Sequence, residues 1–333
     1  MSMTQNKLKI GFYWAASCGG CEIAVLDLNE AILDVVQLAD IVFWPVAIDI
    51  KYNQVEAMSD GYMDICFFNG AIRSEEQEHM AKLLRQKAKT LVAFGSCAEE
   101  GGIPSLANLS DRAGIFKQVY LDSKSTWNPE KTLPSLKTDA AEGELKLPEL
   151  YDKVKALDQT VHVDYYLPGC PPPVKLIANA VGAIAKNELP PNGSVLAPLK
   201  SVCDECQRKK ENKMISKIYR VYEKIPEPEK CLLEQGILCA GPATRSGCGA
   251  QCLNVDMPCT GCGGRCPNSP EQGAALISAL ASILDLDKDQ ESHTRDDVEK
   301  LMDQIKDPAG TFYMFSMAQS ILGQKAKHFE KEP

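Results

Sequence analysis

The stretch LKIGFYWAASCGGCEIAVLDL, residues 8–28, sets a short apolar, aromatic-rich run before a Cys-Gly-Gly-Cys turn and an amphipathic run after it. The first run is short and has the residue types of a buried strand. After the turn, Ala24, Leu28, Ala31 and Val35 recur at helical spacing, which predicts a helix over 21–38. Four more runs of the first kind follow: DIVFWPVAI (40–48), MDICFFNGAI (63–72), TLVAFGSCA (90–98) and TVHVDYYLPG (160–169). Continuous apolar character marks strands covered on both faces, as parallel sheets are.

Helical patterns separate these runs. SEEQEHMAKLLRQKAK (74–89) opens with a capping box of Ser74 and Gln77, and a further helix is predicted from Val174 to Asn187, after Pro171–Pro173. Alternation of this kind predicts an α/β fold, a flavodoxin-like doubly wound parallel sheet, over residues 1–190. Residues 122–150 are polar and carry three prolines, so they read as a surface excursion. LPPNGSVLAP (189–198) reads as a linker. Residues 191–333 then form a smaller, mainly irregular and helical domain, with helices expected at 272–286, 295–305 and 311–322.

Composition narrows the function. The chain has 333 residues, 44% hydrophobic and 24% charged, with a formal net charge of -9. That balance argues against nucleic acid as a partner, because phosphate binding needs a concentrated basic surface. The N-terminal MSMTQNKLKIGFYW shows neither a charged-then-apolar leader nor twin arginines, and no run of about 18 apolar residues occurs. A cytoplasmic protein without a membrane span is therefore expected. Its fourteen cysteines are unevenly placed, five before residue 171 and nine from Cys203 to Cys266. In a reducing compartment such clusters point to metal or redox chemistry rather than disulfides.

The expected sheet places Cys18 and Cys21 after its first strand, Cys97 after its fourth and Cys170 after its fifth. All four then lie at the carboxyl edge, where doubly wound sheets bind ligands. Four thiolates from three loops can hold one four-coordinate metal centre, and the neighbouring glycines let backbone approach it closely. A redox dithiol would need only Cys18 and Cys21; zinc would accept all four. Cys66, inside DICFFNG, reads as a core cysteine. The later cysteines run C-x2-C-x24-C-x7-C-x8-C-x3-C-x6-C-x2-C-x3-C, enough for two four-ligand sites with one left over. Structural zinc stays open there, although CTGCGGRCP (259–267) has the C-x2-C-x3-C-P spacing of iron–sulfur proteins.

SCGGCE (17–22), GSCAEEGGIPS (95–105), PGCPP (168–172), CAGPATRSGCGAQC (239–252) and MPCTGCGG (257–264) together resemble the small, electron-transferring subunit of nickel–iron hydrogenases. The likeness runs from Ile10 to about Ala281 and is strongest to the cytoplasmic methyl-viologen-reducing type of methanogens and related anaerobes. It implies three 4Fe-4S clusters: a proximal one on Cys18, Cys21, Cys97 and Cys170, a medial one on Cys248, Cys252, Cys259 and Cys262, and a distal one on Cys203, Cys206, Cys231 and Cys239. Cys266 is an alternative medial ligand to Cys252. The second domain would thus be an iron–sulfur domain. No catalytic residue would lie on this chain, because the family splits hydrogen at a nickel–iron centre in a separate large subunit. Electrons would pass to a small iron–sulfur acceptor subunit and from there to heterodisulfide reductase.

Cys203 stands where many relatives have histidine, and the added thiolate charge should lower that cluster's potential. The resemblance also implies that Glu22, and Arg73 with it, faces the large subunit, although a helix-start carboxylate would suit Glu22 equally. His79, His162, His293 and His328 share no ligand spacing and read as structural. Three other readings compete: the 20-kilodalton subunit of a quinone reductase, which shares the first domain, a zinc scaffold, and a nickel-free electron conduit. Oxygen-tolerant relatives carry two extra proximal cysteines where this chain has Gly20 and Gly102, so its hydrogenase complex is expected to be oxygen-sensitive. Hydrogen uptake assayed before and after controlled air exposure checks this, and unimpaired turnover in air would contradict it.

Overall fold

The structure is a computed structural model and describes residues 7–285 and 295–322. Its strands are β1 (Leu8–Trp14), β2 (Ala39–Phe43), β3 (Met63–Asn69), β4 (Ile72–Ser74), β5 (Ala88–Phe94), β6 (Lys137–Ala140), β7 (Gly143–Lys146), β8 (Leu150–Lys155), β9 (Tyr165–Leu167) and β10 (Ser194–Val195). The helices are α1 (Gly20–Leu26), α2 (Ile32–Leu38), α3 (Tyr52–Glu56), α4 (Glu75–Lys87), α5 (Ser96–Glu100), α6 (Arg112–Phe116), α7 (Val174–Lys186), α8 (Gln272–Ala281), α9 (Arg295–Met302) and α10 (Pro308–Tyr313).

Six strands make one parallel sheet in the order β10-β9-β5-β3-β1-β2. This is the doubly wound arrangement expected from the sequence, with its direction reversing between β1 and β3. Register pairs Phe12 with Phe67 and Phe94 with Leu167 on one face, where Phe12 and Phe67 stack at 5.2 Å. Ala24 and Val25 of α1 and Leu176, Ile177 and Ala180 of α7 cover that face. On the other face Tyr13, Phe43, Phe68 and Leu91 pack with Met80 and Leu84 of α4. Cys66 lies in this second core, fully buried, and burial pushes its thiol up to about 12.

Several boundaries differ from the sequence expectation, each for a local reason. β2 stops at Phe43 because Pro45 follows and cannot donate to a ladder. The 63–72 run is two strands: Gly70 takes φ +101, and β4 then turns away to pair antiparallel with β8. The helix expected over 21–38 breaks at Asn29, which takes the left-handed conformation at φ 51. Beyond it α2 buries no residue, so the stripe through Ala31 and Val35 does not reach the core. Ser194 and Val195, read as linker, add a sixth strand to the sheet through β9. The expected 311–322 helix is α10 followed by a short turn at Met317–Gln319.

The polar excursion is largely exposed and contains an antiparallel hairpin of β6 and β7. After residue 200 the chain is mostly loop and single 3-10 turns around its own core, which joins Val202, Ile215, Leu232 and Ile237 to Leu276, Leu280 and Phe312. Among the described residues no helix is long and apolar enough to cross a membrane.

The Ser74 cap forms as expected: its hydroxyl accepts the Gln77 N–H at 3.3 Å while the Gln77 side chain accepts the Ser74 N–H at 3.1 Å. Ser74→Ala is expected to cost about 1 kcal/mol of stability, read as a lower urea midpoint at unchanged slope.

Candidate metal centres

All fourteen cysteines are free thiols. Four of them meet at the carboxyl edge of the sheet. Cys18 follows β1, Cys21 sits in the first turn of α1, Cys97 in that of α5, and Cys170 follows β9. Burial pushes the Cys21 thiol far up, and the facing Glu22, Cys97, Cys170 and Cys18 push it further. Cys97 is driven to about 12 by burial and then by Cys170 and Cys18, against a backbone N–H from Ile103. Burial and Cys18 also raise Cys170.

The approach is tight enough to demand glycine. A Cβ on Gly95, at φ +86, would stand 2.4 Å from the Cys21 Sγ, and one on Gly102, at φ +57, would stand 2.5 Å from the Cys97 Sγ. The Gly20 N–H points at the Cys18 Sγ at 3.4 Å.

The later cysteines form two more groups of four. Cys203 is raised to about 12 by burial, with Lys210 opposing and Cys239, Cys231 and Cys206 adding. These four line a cavity of about 350 Å³, far more than one metal ion occupies. Cys248, Cys252, Cys259 and Cys262 line a smaller cavity of about 40 Å³. Burial lifts Cys262 to about 11, and Cys248, Cys170 and Cys252 face it. Burial lifts Cys259 to about 12, with Cys239 and Cys262 among its neighbours. The three groups therefore adjoin in series, Cys170 against Cys262 and Cys259 against Cys239. Cys266 joins none of them: its thiol donates to the Pro242 carbonyl at 3.4 Å and its charged neighbours are Arg245 and Asp204.

Among the described residues no three His, Cys, Asp or Glu side chains converge on a single-ion point. The donor chemistry nonetheless suits a multi-atom thiophilic centre. Packed thiols resist ionisation because burial disfavours the charged form and neighbouring thiolates would repel it, and bound iron reverses that preference.

Three residues that carry no spacing signal hold these loops. The Glu205 carboxylate accepts from the Gly247 N–H at 3.0 Å and the Gly249 N–H at 2.9 Å, on either side of Cys248. Gln272 donates to the Gly261 carbonyl at 2.8 Å and the Gly264 carbonyl at 3.1 Å, around Cys262. Arg208 donates to the Leu253 carbonyl at 3.2 Å and the Lys230 carbonyl at 3.0 Å, joining the loops of Cys252 and Cys231. A polar residue at the start of a helix or beside a cysteine is a common feature, so sequence offered nothing to single these out.

Glu22 is buried, and one of its oxygens accepts from the Asn69 side chain at 2.7 Å while the other has no hydrogen-bond partner among the described residues. Arg73 is also buried, with Asp152 as its charged neighbour. His79 and His162 are exposed beside Glu56 and Asp164, away from the cysteines. His293 and His328 lie outside the described residues.

Residues 18–184 match the family described as NADH ubiquinone oxidoreductase, 20 Kd subunit. The iron-sulfur subunit of the F420-non-reducing hydrogenase of Archaeoglobus profundus is 43% identical over 283 residues, 83% of this chain and 88% of that protein. An F420-non-reducing hydrogenase subunit of Methanothermobacter marburgensis is 36% identical over 325 residues, 97% of this chain and 98% of that protein. The chain belongs to this family of F420-non-reducing hydrogenase subunits. It is accordingly an electron-transfer subunit of a hydrogenase, an oxidoreductase whose hydrogen-splitting centre sits on a partner large subunit, and iron–sulfur clusters are its expected cofactors. The quinone-reductase-type family model ends at residue 184, before Cys203, whereas the hydrogenase relatives match through the cysteine-rich second half. A chain in the NAD+-reducing [NiFe]-hydrogenase in the H2-reduced state is similar at 27% identity, covering 56% of this chain and 94% of that one, with a TM-score of 0.48.

Because Gly102 faces Cys97 so closely, Gly102→Ala is expected to displace that thiol and lower the iron content of anaerobically purified protein. A colorimetric iron assay against the wild type checks it, and undiminished iron would show that the Cβ is accommodated.

Proposed function

We propose that this subunit carries three 4Fe-4S clusters and relays electrons from the large subunit's hydrogen-splitting centre to a small iron–sulfur acceptor subunit. The supporting observation is the division of twelve cysteines into three adjoining fours. In this reading Cys18, Cys21, Cys97 and Cys170 hold the proximal cluster, Cys248, Cys252, Cys259 and Cys262 the medial, and Cys203, Cys206, Cys231 and Cys239 the distal. Cys252 is preferred to Cys266 as medial ligand because it lines the cavity with the other three and faces Cys262. Residues 1–190 and 191–333 are the two working units, the first carrying the proximal site and the second the other two.

When bound, such clusters accept and release one electron each at low potential. The chain's own part is positional. The sheet edge fixes the proximal thiols, the glycines leave room for backbone to approach the sulfurs, and Glu205, Gln272 and Arg208 hold the loops of the outer sites. With thiolate in place of histidine at Cys203 the exit site should have a low potential, which suits a low-potential acceptor. That acceptor would serve heterodisulfide reductase in the cytoplasm.

Metal analysis of the anaerobically purified complex, captured through this chain, tests the reading. At least about 12 iron per chain, plus nickel near one per large subunit, is expected. Iron without nickel, with the large subunit attached, would make the complex an electron conduit, and zinc in place of iron would end the redox reading. Within the same preparation Cys252→Ser is expected to convert or lose the medial cluster's electron paramagnetic resonance signal, whereas Cys266→Ser should leave it unchanged. The reverse pattern would make Cys266 the ligand.

A further inference from the structure

Where the first two cysteine groups adjoin, Gly169, the residue before Cys170, lines the same small cavity as Cys262. One step on, the Cys259 backbone N–H donates to the Cys239 Sγ at 3.4 Å, so the main chain of the second group reaches a sulfur of the third.

Ser96 joins the two sides of the first of these junctions. It is buried, 2% exposed, beside Cys97. Its hydroxyl donates to the Cys262 carbonyl at 2.6 Å, and its N–H donates to the carbonyl of Gly169, the residue before Cys170, at 2.8 Å. One serine thus ties the segment carrying Cys170 to Cys262. The adjacent Glu100 carboxylate supports the same seam by accepting the Arg265 N–H at 3.3 Å.

We propose that Ser96 is a positioning residue for electron transfer between the first and second sites: its hydroxyl and its N–H hold Cys262 against the segment that carries Cys170. The proposal rests on the reading that these groups hold iron–sulfur clusters. The step moves one electron, oxidising the first site by one and reducing the second by one, and forms or breaks no covalent bond. Loosening the Ser96 tie lets the two segments separate, and a longer gap weakens the path between the sites.

The test uses the assembled hydrogenase complex with Ser96→Ala and Ser96→Thr. Reduced complex is mixed with an oxidant, freeze-quenched, and followed by electron paramagnetic resonance at each site. In Ser96→Ala, transfer between the first and second sites is expected to slow about tenfold or more, since small misplacements of a working group have effects of that order, while static signals keep wild-type intensity. Ser96→Thr, which keeps the hydroxyl, is expected to stay within about threefold of wild type on the same reasoning. Wild-type transfer in Ser96→Ala, or equal slowing in both variants, would overturn the proposal. Loss of the first site's signal in both would also overturn it, assigning Ser96 to cluster assembly. A wild-type complex without iron–sulfur signals would instead overturn the cluster reading itself.

Discussion

Thiolates repel one another, and this chain packs them in fours. Burial strips them of water and their neighbours add like charge, so in the bare protein the thiols at Cys21, Cys97, Cys203 and Cys259 are held neutral well above their ordinary range. Such an arrangement is sustained when positive charge sits at its centre, and iron supplies that charge. Much else in the structure serves to place sulfur atoms that would otherwise move apart.

Two strategies meet that demand. At the first site a rigid parallel sheet does the work: β1, β5 and β9 end at one edge, and their loops deliver Cys18, Cys21, Cys97 and Cys170 from well-packed ground. Without a Cβ at Gly95 and Gly102, backbone comes close to the sulfurs. Beyond residue 200 no sheet is present among the described residues, and buried or half-buried polar side chains take its place. Glu205, Gln272 and Arg208 each bind backbone groups of loops far away in sequence, so the second and third sites depend on specific hydrogen bonds more than on regular structure.

The same division runs through the chain's relatives. The quinone-reductase-type family covers residues 18–184, the part built on the sheet, whereas the F420-non-reducing hydrogenase subunits extend over the hydrogen-bonded loops as well. An electron relay needs both parts, since one site alone has nowhere to send an electron within the chain. The two parts meet where Ser96, beside Cys97, donates to the Cys262 carbonyl at 2.6 Å.

Periodicity and residue type alone determined the doubly wound parallel class of the sheet, the Ser74 capping box, the α7 helix and the buried character of Cys66, because these follow from local pattern. Spacing allowed two four-ligand sites with one cysteine over beyond residue 200, and the resemblance supplied the expected division into fours. Only the tertiary structure decided the rest. A single left-handed Asn29 broke a helix that its apolar stripe continued, and Ser194 with Val195 became a strand because β9 offered an unpaired edge. Cys252 and Cys266 could not be told apart by spacing, since each lies within a few residues of Cys262 or Cys248. The fold separates them by turning Cys266 toward Pro242 and Arg245. Ser96, Glu205 and Gln272 were invisible for the same reason: their partners lie in distant segments, and a hydrogen bond across 166 positions, as from Ser96 to Cys262, leaves no trace in local sequence.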